Sequence, residues 1–350
     1  MPSPNEILSQ LKKVKYPGFT RDIVSFGIVK DIEVAYAGVT VFLVAPSANP
    51  EVVSKIVDEV RGTVAAMPGV PEVRVEVEQP APSPTPREAA AGHKREIPGV
   101  AHVVAVASGK GGVGKSTVAV NLALAMKALG WRVGLMDADV YGPSLAMMVG
   151  ADAPVKVTPE RRIVPLERYG IRYVSMGLFV RDQQAVIWRG PMVTKLEMEF
   201  LFNVEWGELD CLVLDLPPGT GDAQLTITQR ARLDGGVIVT TPQEIALLDV
   251  RRGVQMFKEV NVPVLGVIEN MSYYVCRSCG SRHQIFSHGG GERLARELGV
   301  TFLGELPLVR EVREGGDQAL PLVALNPSHP VSGAFKSVAA RIIEELQKTG

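Results

Sequence analysis

Residues Gly109 to Thr117 read GKGGVGKST, and Gly109, Gly114, Lys115 and Ser116 satisfy the phosphate-loop spacing G-x-x-x-x-G-K-[ST]. The residue types fit the chemistry. Gly109, Gly111, Gly112 and Gly114 let successive backbone N–H groups, that of Val113 among them, turn inward around a phosphate. Lys115 adds a mobile positive charge, and the Ser116 hydroxyl suits Mg²⁺. The loop follows an apolar run, Val103 to Ala107, and leads into Val118 to Leu129, rich in Ala, Leu and Met. That order predicts strand, glycine loop and helix, with the helix N-terminus adding its own partial positive charge.

Acidic residues follow at the ends of two further apolar runs. Val133 to Met136 ends in Asp137-Ala138-Asp139, and Leu212 to Leu214 ends in Asp215, followed by Leu216-Pro217-Pro218-Gly219-Thr220-Gly221-Asp222. Carboxylates at the C-terminal ends of parallel strands sit at the crevice where such sheets bind ligands. An acid there, beside a phosphate loop, is placed to hold Mg²⁺ directly or through water. The glycines after Asp215 suit a segment that moves when a γ-phosphate leaves. Two more strands are expected at Gly236 to Thr241 and Val264 to Glu269, the second running into Asn270, whose amide can both donate and accept at a purine edge.

A second chemical feature lies just downstream. Two of the three cysteines form Cys276-Arg277-Ser278-Cys279; the third is Cys211. C-x-x-C spacing lets two thiolates converge on one metal ion or cluster, whereas tetrahedral zinc or an iron–sulfur cluster generally takes four ligands. Either His283 and His288 complete the set within one subunit, or a second subunit supplies the same motif across a two-fold axis. A thioredoxin-type dithiol would want the motif at a helix N-terminus after a strand. Cys211, in front of the run ending at Asp215, reads as a small core hydrophobe.

Lys110, directly after the first glycine, is not required by the general motif. With it the sequence resembles the deviant phosphate-loop ATPases, the group of MinD, ParA, the arsenite-pump ATPase and nitrogenase iron protein. The resemblance implies that Lys110 reaches the nucleotide of a partner subunit in a homodimer. It also implies that Asp139 orients the attacking water, that Asp137 and Asp215 work around Mg²⁺, and that Asn270 contacts adenine. Gly109 to Thr117 and Asn270 are thus the expected nucleotide-binding residues, and Lys110, Lys115 and Asp139 the expected catalytic ones. Further segments narrow the match: DADVYGPS from Asp137, WRGPM from Trp188, LPPGTGD from Leu216, IENMSY from Ile268, and CRSC followed by HGGGERLA. Over roughly residues 98 to 350 the set resembles the Mrp/ApbC-type iron–sulfur cluster carriers. That resemblance implies an ATP-hydrolysing homodimer that holds a [4Fe-4S] cluster between two C-x-x-C pairs. It further implies that the dimer passes the cluster to apo-proteins, working alongside cluster-assembly scaffold proteins.

The elements that must position these residues follow from pattern. An α/β fold is expected, a mostly parallel sheet flanked by helices, preceded by a small α+β domain. Residues 1–78 form the small domain, 79–97 a linker and 98–350 the ATPase domain. Gln79 to Glu96 reads QPAPSPTPREAAAGHKRE, and its alternating prolines favour an extended, semi-stiff linker. Before it, Asn5 to Val14 has helical spacing, Ile28 to Val34 and Val39 to Val44 read as paired strands, Pro50 to Met67 as an amphipathic helix, and Val73, Val75 and Val77 alternate as a strand. This order resembles the SufT-like domain fused ahead of such ATPases, although Tyr16-Pro17-Gly18 stands where that domain often carries Asp-Pro-Glu. It contains no cysteine, so an adaptor for client proteins is the expectation.

The bulk composition excludes more than it proposes. A net charge of −1 and a pI near 6.6 give no polyelectrolyte reason to bind nucleic acid. No apolar run approaches the roughly 20 residues that span a bilayer, and the N-terminus lacks a secretory pattern. Three cysteines in 350 residues fit a reducing compartment, read as the cytosol. A terminal helix from about Phe335 to Leu346 has an apolar stripe, but Glu344 and Glu345 on its polar side favour core packing over membrane docking. Two alternatives stand beside the cluster carrier: a MinD/ParA-like positioning ATPase, and a zinc-bridged nucleotide-binding regulator.

Overall fold

The structure is a computed structural model that describes residues 2–15, 22–24, 28–35, 38–44, 50–78, 94–139, 142–150, 154–178 and 190–349. Tyr16-Pro17-Gly18, the proline-rich stretch 79–93, Val140-Tyr141 and Trp188-Arg189 lie outside the described residues. The chain divides into two compact units, Met1–Ala89 and Ala90–Gly350.

The first unit runs α1 (Pro4–Leu11), β1 (Val29–Ala35), β2 (Gly38–Val44), α2 (Pro50–Ala65) and β3 (Val73–Glu78). Ser3 starts α1 with a reciprocal cap: its hydroxyl accepts from the Glu6 N–H, and the Glu6 carboxylate accepts from the Ser3 N–H at 2.7 Å. β1 pairs antiparallel with β2, and β3 returns parallel to β2, so α2 is the crossover. Alternation along β2 buries Val39, Val41 and Leu43 against Ile7 and Leu11 of α1 and Ile56, Val60 and Val64 of α2.

In the second unit β4 (Val100–Ala107) leads into α3 (Lys115–Ala128), then β5 (Val133–Asp137) and α4 (Leu145–Val149). A small ladder pairs β6 (Lys156–Val157) with β7 (Ile163–Val164), followed by β8 (Leu166–Arg168), β9 (Ile171–Val174) and α5 (Gly190–Phe202). Next come β10 (Leu209–Asp215), α6 (Asp222–Arg230), β11 (Gly235–Thr240), α7 (Glu244–Glu259) and β12 (Val264–Glu269). A hairpin of β13 (Tyr274–Val275) and β14 (Arg282–His283) precedes α8 (Gly290–Leu298), β15 (Phe302–Glu305), α9 (Arg310–Asp317), α10 (Leu322–Leu325) and α11 (Pro330–Thr349).

The main sheet has eight strands in the order β15-β12-β11-β4-β10-β5-β9-β8, parallel throughout except for the edge pair β8/β9. A parallel sheet is covered on both faces, which is why its strands read as continuous apolar runs. Val104 and Val106 of β4 face Leu122 and Met126 of α3 and Phe335, Val338 and Ile342 of α11. Val103, Ala105 and Ala107 face the other core, with Phe200, Trp206 and Phe257. The terminal helix is therefore a core element: Phe335, Val338, Ala339, Ile342 and Leu346 are all buried. Among the described residues no helix is long and apolar enough to cross a membrane.

The second unit takes hold of the chain earlier than composition indicates. The Arg95 N–H donates to the Arg230 carbonyl, the Arg232 N–H donates back to the Arg95 carbonyl, and Ile97 is buried. Arg95 also lays its guanidinium 4.0 Å from the centroid of the Phe202 ring. Charged side chains here conceal a main-chain pairing, so residues 94–97 are anchored to this unit.

Candidate functional site

The phosphate loop joins β4 to α3, and two of its glycines are needed for shape. Gly114 caps α3 at φ +80°, and a Cβ there would lie 2.4 Å from the Asn270 Nδ2. A Cβ on Gly109 would fall 2.1 Å from the Asp249 Cβ of α7. The loop is thus wedged between α7 on one side and the strand end of β12 on the other.

Behind the loop lies a buried charged cluster. The Lys115 ammonium ion-pairs with Asp215 and donates to the Ser116 hydroxyl at 3.3 Å. Parallel register sets Asp215 beside Asp137 on β5. Asp137 accepts from the Asp139 N–H at 3.1 Å, the Leu145 N–H at 3.2 Å and the Ser175 hydroxyl at 2.8 Å. Even so, burial, and next the neighbouring Asp215 charge, push its carboxyl up to about 7. Burial also holds Asp215 above its ordinary value, against the pull of Lys115 and Ser116. Its Oδ2 is buried and has no partner among the described residues.

These groups suit a divalent cation. An unpartnered carboxylate oxygen, a second carboxylate burdened by like charge and a hydroxyl are hard oxygen donors of the kind Mg²⁺ takes. Ser116, Asp215 and Asp137 are the residues that could hold it; bound there, it would supply positive charge to nucleotide phosphates.

A cavity of about 210 Å³ opens over the loop, lined by Lys110, Lys115, Ser116, Asp139 and Pro218 among others. Asp139 is pinned by the Gly142 N–H, 3.0 Å from its Oδ1. A second cavity of about 290 Å³ shares Gly114, Thr117 and Met148 with the first, so the two form one tract. Asn270, Met271, Pro307, Val309 and Arg313 line it. The Asn270 N–H donates to the Thr240 carbonyl at 2.7 Å, and its Nδ2 donates to the Val113 carbonyl at 2.8 Å. Sequence reasoning missed Pro307, Val309 and Arg313. No sequence motif marks them: they follow β15, where the Leu308 N–H donates to the Tyr273 carbonyl at 2.7 Å.

The two nearby cysteines sit on the β13/β14 hairpin. Cys276 N–H donates to the Ser281 carbonyl at 2.9 Å, Gly280 N–H to the Cys276 carbonyl at 2.8 Å, and Gly280 turns the chain at φ +71°. Cys279 is exposed and Cys276 half-buried; hydrogen bonds from Ser281 hold the Cys279 thiol below its ordinary value. His283 joins them, with ligand atoms of all three within 4.8 Å of one another. His288 does not: its Nε2 lies 2.7 Å from Glu305. Cys211 is fully buried in β10, its thiol pushed up by burial.

One network ties the hairpin to the strand that ends at Asn270. Buried Glu269 accepts from the N–H groups of Gly289 and Gly291 and from the Ser272 hydroxyl, at 3.0, 2.6 and 2.6 Å. Ser272 Oγ also lies 3.1 Å from Glu305, which pairs with Arg282 and His288. The Arg282 guanidinium rests 3.3 Å from the centroid of the Tyr273 ring.

The family described as NUBPL iron-transfer P-loop NTPase matches residues 99–343. The chain belongs to this family. Residues 4–77 match a second family, described as iron–sulfur cluster assembly protein. Among the relatives of this P-loop NTPase is an iron–sulfur cluster carrier protein of Synechocystis sp., 40% identical over 347 residues, which cover 98% of this chain and 97% of the relative. The iron–sulfur cluster carrier protein of Escherichia coli K12 is 46% identical over 255 residues, 73% of this chain and 69% of its own. Among solved structures, a nucleotide-binding protein from Archaeoglobus fulgidus in complex with ADP, with Co found in it, is 36% identical at a TM-score of 0.58, covering 67% of this chain and 92% of that one. The Pyrococcus furiosus cell division ATPase MinD shares the fold at 22% identity and a TM-score of 0.53, over 70% of this chain and 99% of that one.

Proposed function

We propose that this P-loop NTPase is an iron–sulfur cluster carrier that binds and hydrolyses ATP with Mg²⁺ and delivers a [4Fe-4S] cluster to apo-proteins. The observation that carries the reading is the pairing of two sites on one strand end. Asn270 is bonded to the phosphate loop, and six residues later Cys276 begins an accessible thiol pair. Each protomer offers only two reachable thiolates, because Cys211 is walled into the core. A cluster with four thiolate ligands then takes two protomers.

In this reading the phosphates lie over Gly109–Thr117, Lys115 leaves Asp215 for the phosphates, and Asp139 orients the attacking water. Lys110 contributes to the nucleotide of the partner subunit. The base occupies the cavity of Asn270, Pro307 and Val309. The protein works in the cytoplasm, receives its cluster from an assembly scaffold and neither binds nucleic acid nor docks on a membrane. Its N-terminal unit, which lacks cysteine, serves as an adaptor toward those partners. Reconstitution without oxygen, followed by iron and acid-labile sulfide assays, tests the proposal. Two irons and two sulfides per protomer, in a dimer, are expected. Tight zinc in a protein that takes up no iron would point instead to a zinc-bridged regulator.

A further inference from the structure

We infer that Cys276, Cys279 and His283 of a single protomer form a site for one divalent transition-metal ion, Zn²⁺ or Fe²⁺, with the fourth position left to water. It is an alternative to the shared cluster, since both use the same two thiolates, and it deepens the carrier reading on which its functional consequence rests.

The three donors converge without help from a metal. Their ligand atoms already lie within 4.8 Å of one another. A tetrahedral site with metal–sulfur bonds of about 2.3 Å separates two sulfurs by about 3.8 Å, so closure takes about 1 Å of side-chain movement. The backbone is folded for it: the two hydrogen bonds across Cys276, Gly280 and Ser281 make a tight turn. β-pairing sets His283 opposite Tyr274, two residues before Cys276, with the two rings 6.5 Å apart. His283 is exposed and, among the described residues, makes no ion pair, whereas His288 is engaged by Glu305. Two thiolates and one imidazole form a borderline-soft set that suits Zn²⁺ and Fe²⁺, and three protein ligands leave one position open. The two faces of the site then differ in ligand economy. One protomer satisfies a single ion with His283, and a pair of protomers satisfies a cluster with four thiolates and no histidine. A protomer carrying Zn²⁺ is consequently closed to cluster assembly until the ion leaves.

The test uses full-length protein, freed of metal and kept without oxygen, with Co²⁺ as the optical probe. Wild type should bind one Co²⁺ per protomer with thiolate charge-transfer and tetrahedral d–d bands. His283→Gln should weaken Co²⁺ binding at least tenfold and change the d–d spectrum, while His288→Gln leaves both unchanged. The same His283→Gln protein should take up iron and sulfide to the wild-type level. Wild-type Co²⁺ affinity and spectrum in His283→Gln, or one Co²⁺ per two protomers with an all-thiolate spectrum, would overturn the inference. Failure of the carrier reading looks different: Cys276→Ala or Cys279→Ala would still hold a stable cluster.

Discussion

Replacing Asp137 by Asn should make the nucleotide-free protein more stable at high pH, although it deletes an acid from the site. In the unfolded chain this carboxyl titrates at its ordinary 3.8, and in the fold it is held up to about 7. Between those values the native state keeps a proton that the unfolded state has lost. Stability therefore falls as pH rises through this window and levels off above about 7. A shift of about three units amounts to about 4 kcal/mol at roughly 1.4 kcal/mol per unit. An Asn does not ionise, but its single acceptor oxygen cannot serve Asp139, Leu145 and Ser175 together, which costs about 1–2 kcal/mol at every pH. The difference between the two proteins cancels that constant loss. From pH 5 to pH 8 it should move by about 3 kcal/mol in favour of Asp137→Asn, about 6–12 °C in Tm. Thermal melts without nucleotide or Mg²⁺ across that range measure it. Parallel curves for the two proteins would show that Asp137 ionises freely in the fold and refute the reasoning.

Other outcomes follow from the same geometry. Lys110→Ala should retain ATP affinity but lose about 10²-fold or more in turnover, measured by equilibrium binding against steady-state hydrolysis, since its proposed contact forms only in the paired state. Gly114→Ala should lower Tm, with about 1–2 kcal/mol from the left-handed backbone alone, and weaken nucleotide binding by displacing the Asn270 amide. Gly111→Ala, whose added Cβ meets nothing within 4 Å, should leave stability within about 0.5 kcal/mol. Cys276→Ala and Cys279→Ala should each abolish a stable cluster after reconstitution, whereas Cys211→Ala should keep the cluster and lose only stability, read by iron content and Tm.

The phosphate loop and the strand-end acids were legible in the sequence because phosphate chemistry requires particular residue types at fixed spacing. Val103–Ala107, Asp137 and Asp215 could be placed on strands for the same reason that the parallel sheet reads as apolar runs. The first unit was legible by periodicity, as with Val39, Val41 and Leu43 along β2. Pairing across long separations was not. Nothing local marks Arg95 as the partner of Arg230 and Arg232, or Glu269 as the acceptor for two glycine N–H groups twenty and more residues downstream. The cavity wall at Pro307 and Val309 is built by the segment that follows β15, which carries no motif. The two histidines after the C-x-x-C were indistinguishable in sequence, and only the hairpin register separates His283, beside the thiols, from His288, beside Glu305.

We propose further that ATP switches cluster delivery through the strand end shared by the two sites. Asn270 and Cys276 are separated by five residues, at most about 20 Å of extended chain, and Glu269, Ser272 and Glu305 brace that span. A nucleotide that changes how two protomers meet changes the spacing of their thiolates, and linkage requires the reverse effect on nucleotide affinity. The direct measurement is the rate of cluster transfer from reconstituted protein to an apo-acceptor, with and without ATP·Mg²⁺, in wild type and in Lys115→Ala. The account predicts a nucleotide-dependent rate in wild type that is lost in Lys115→Ala. Equal rates under all conditions, with equal nucleotide affinity for apo and cluster-loaded protein, would contradict it.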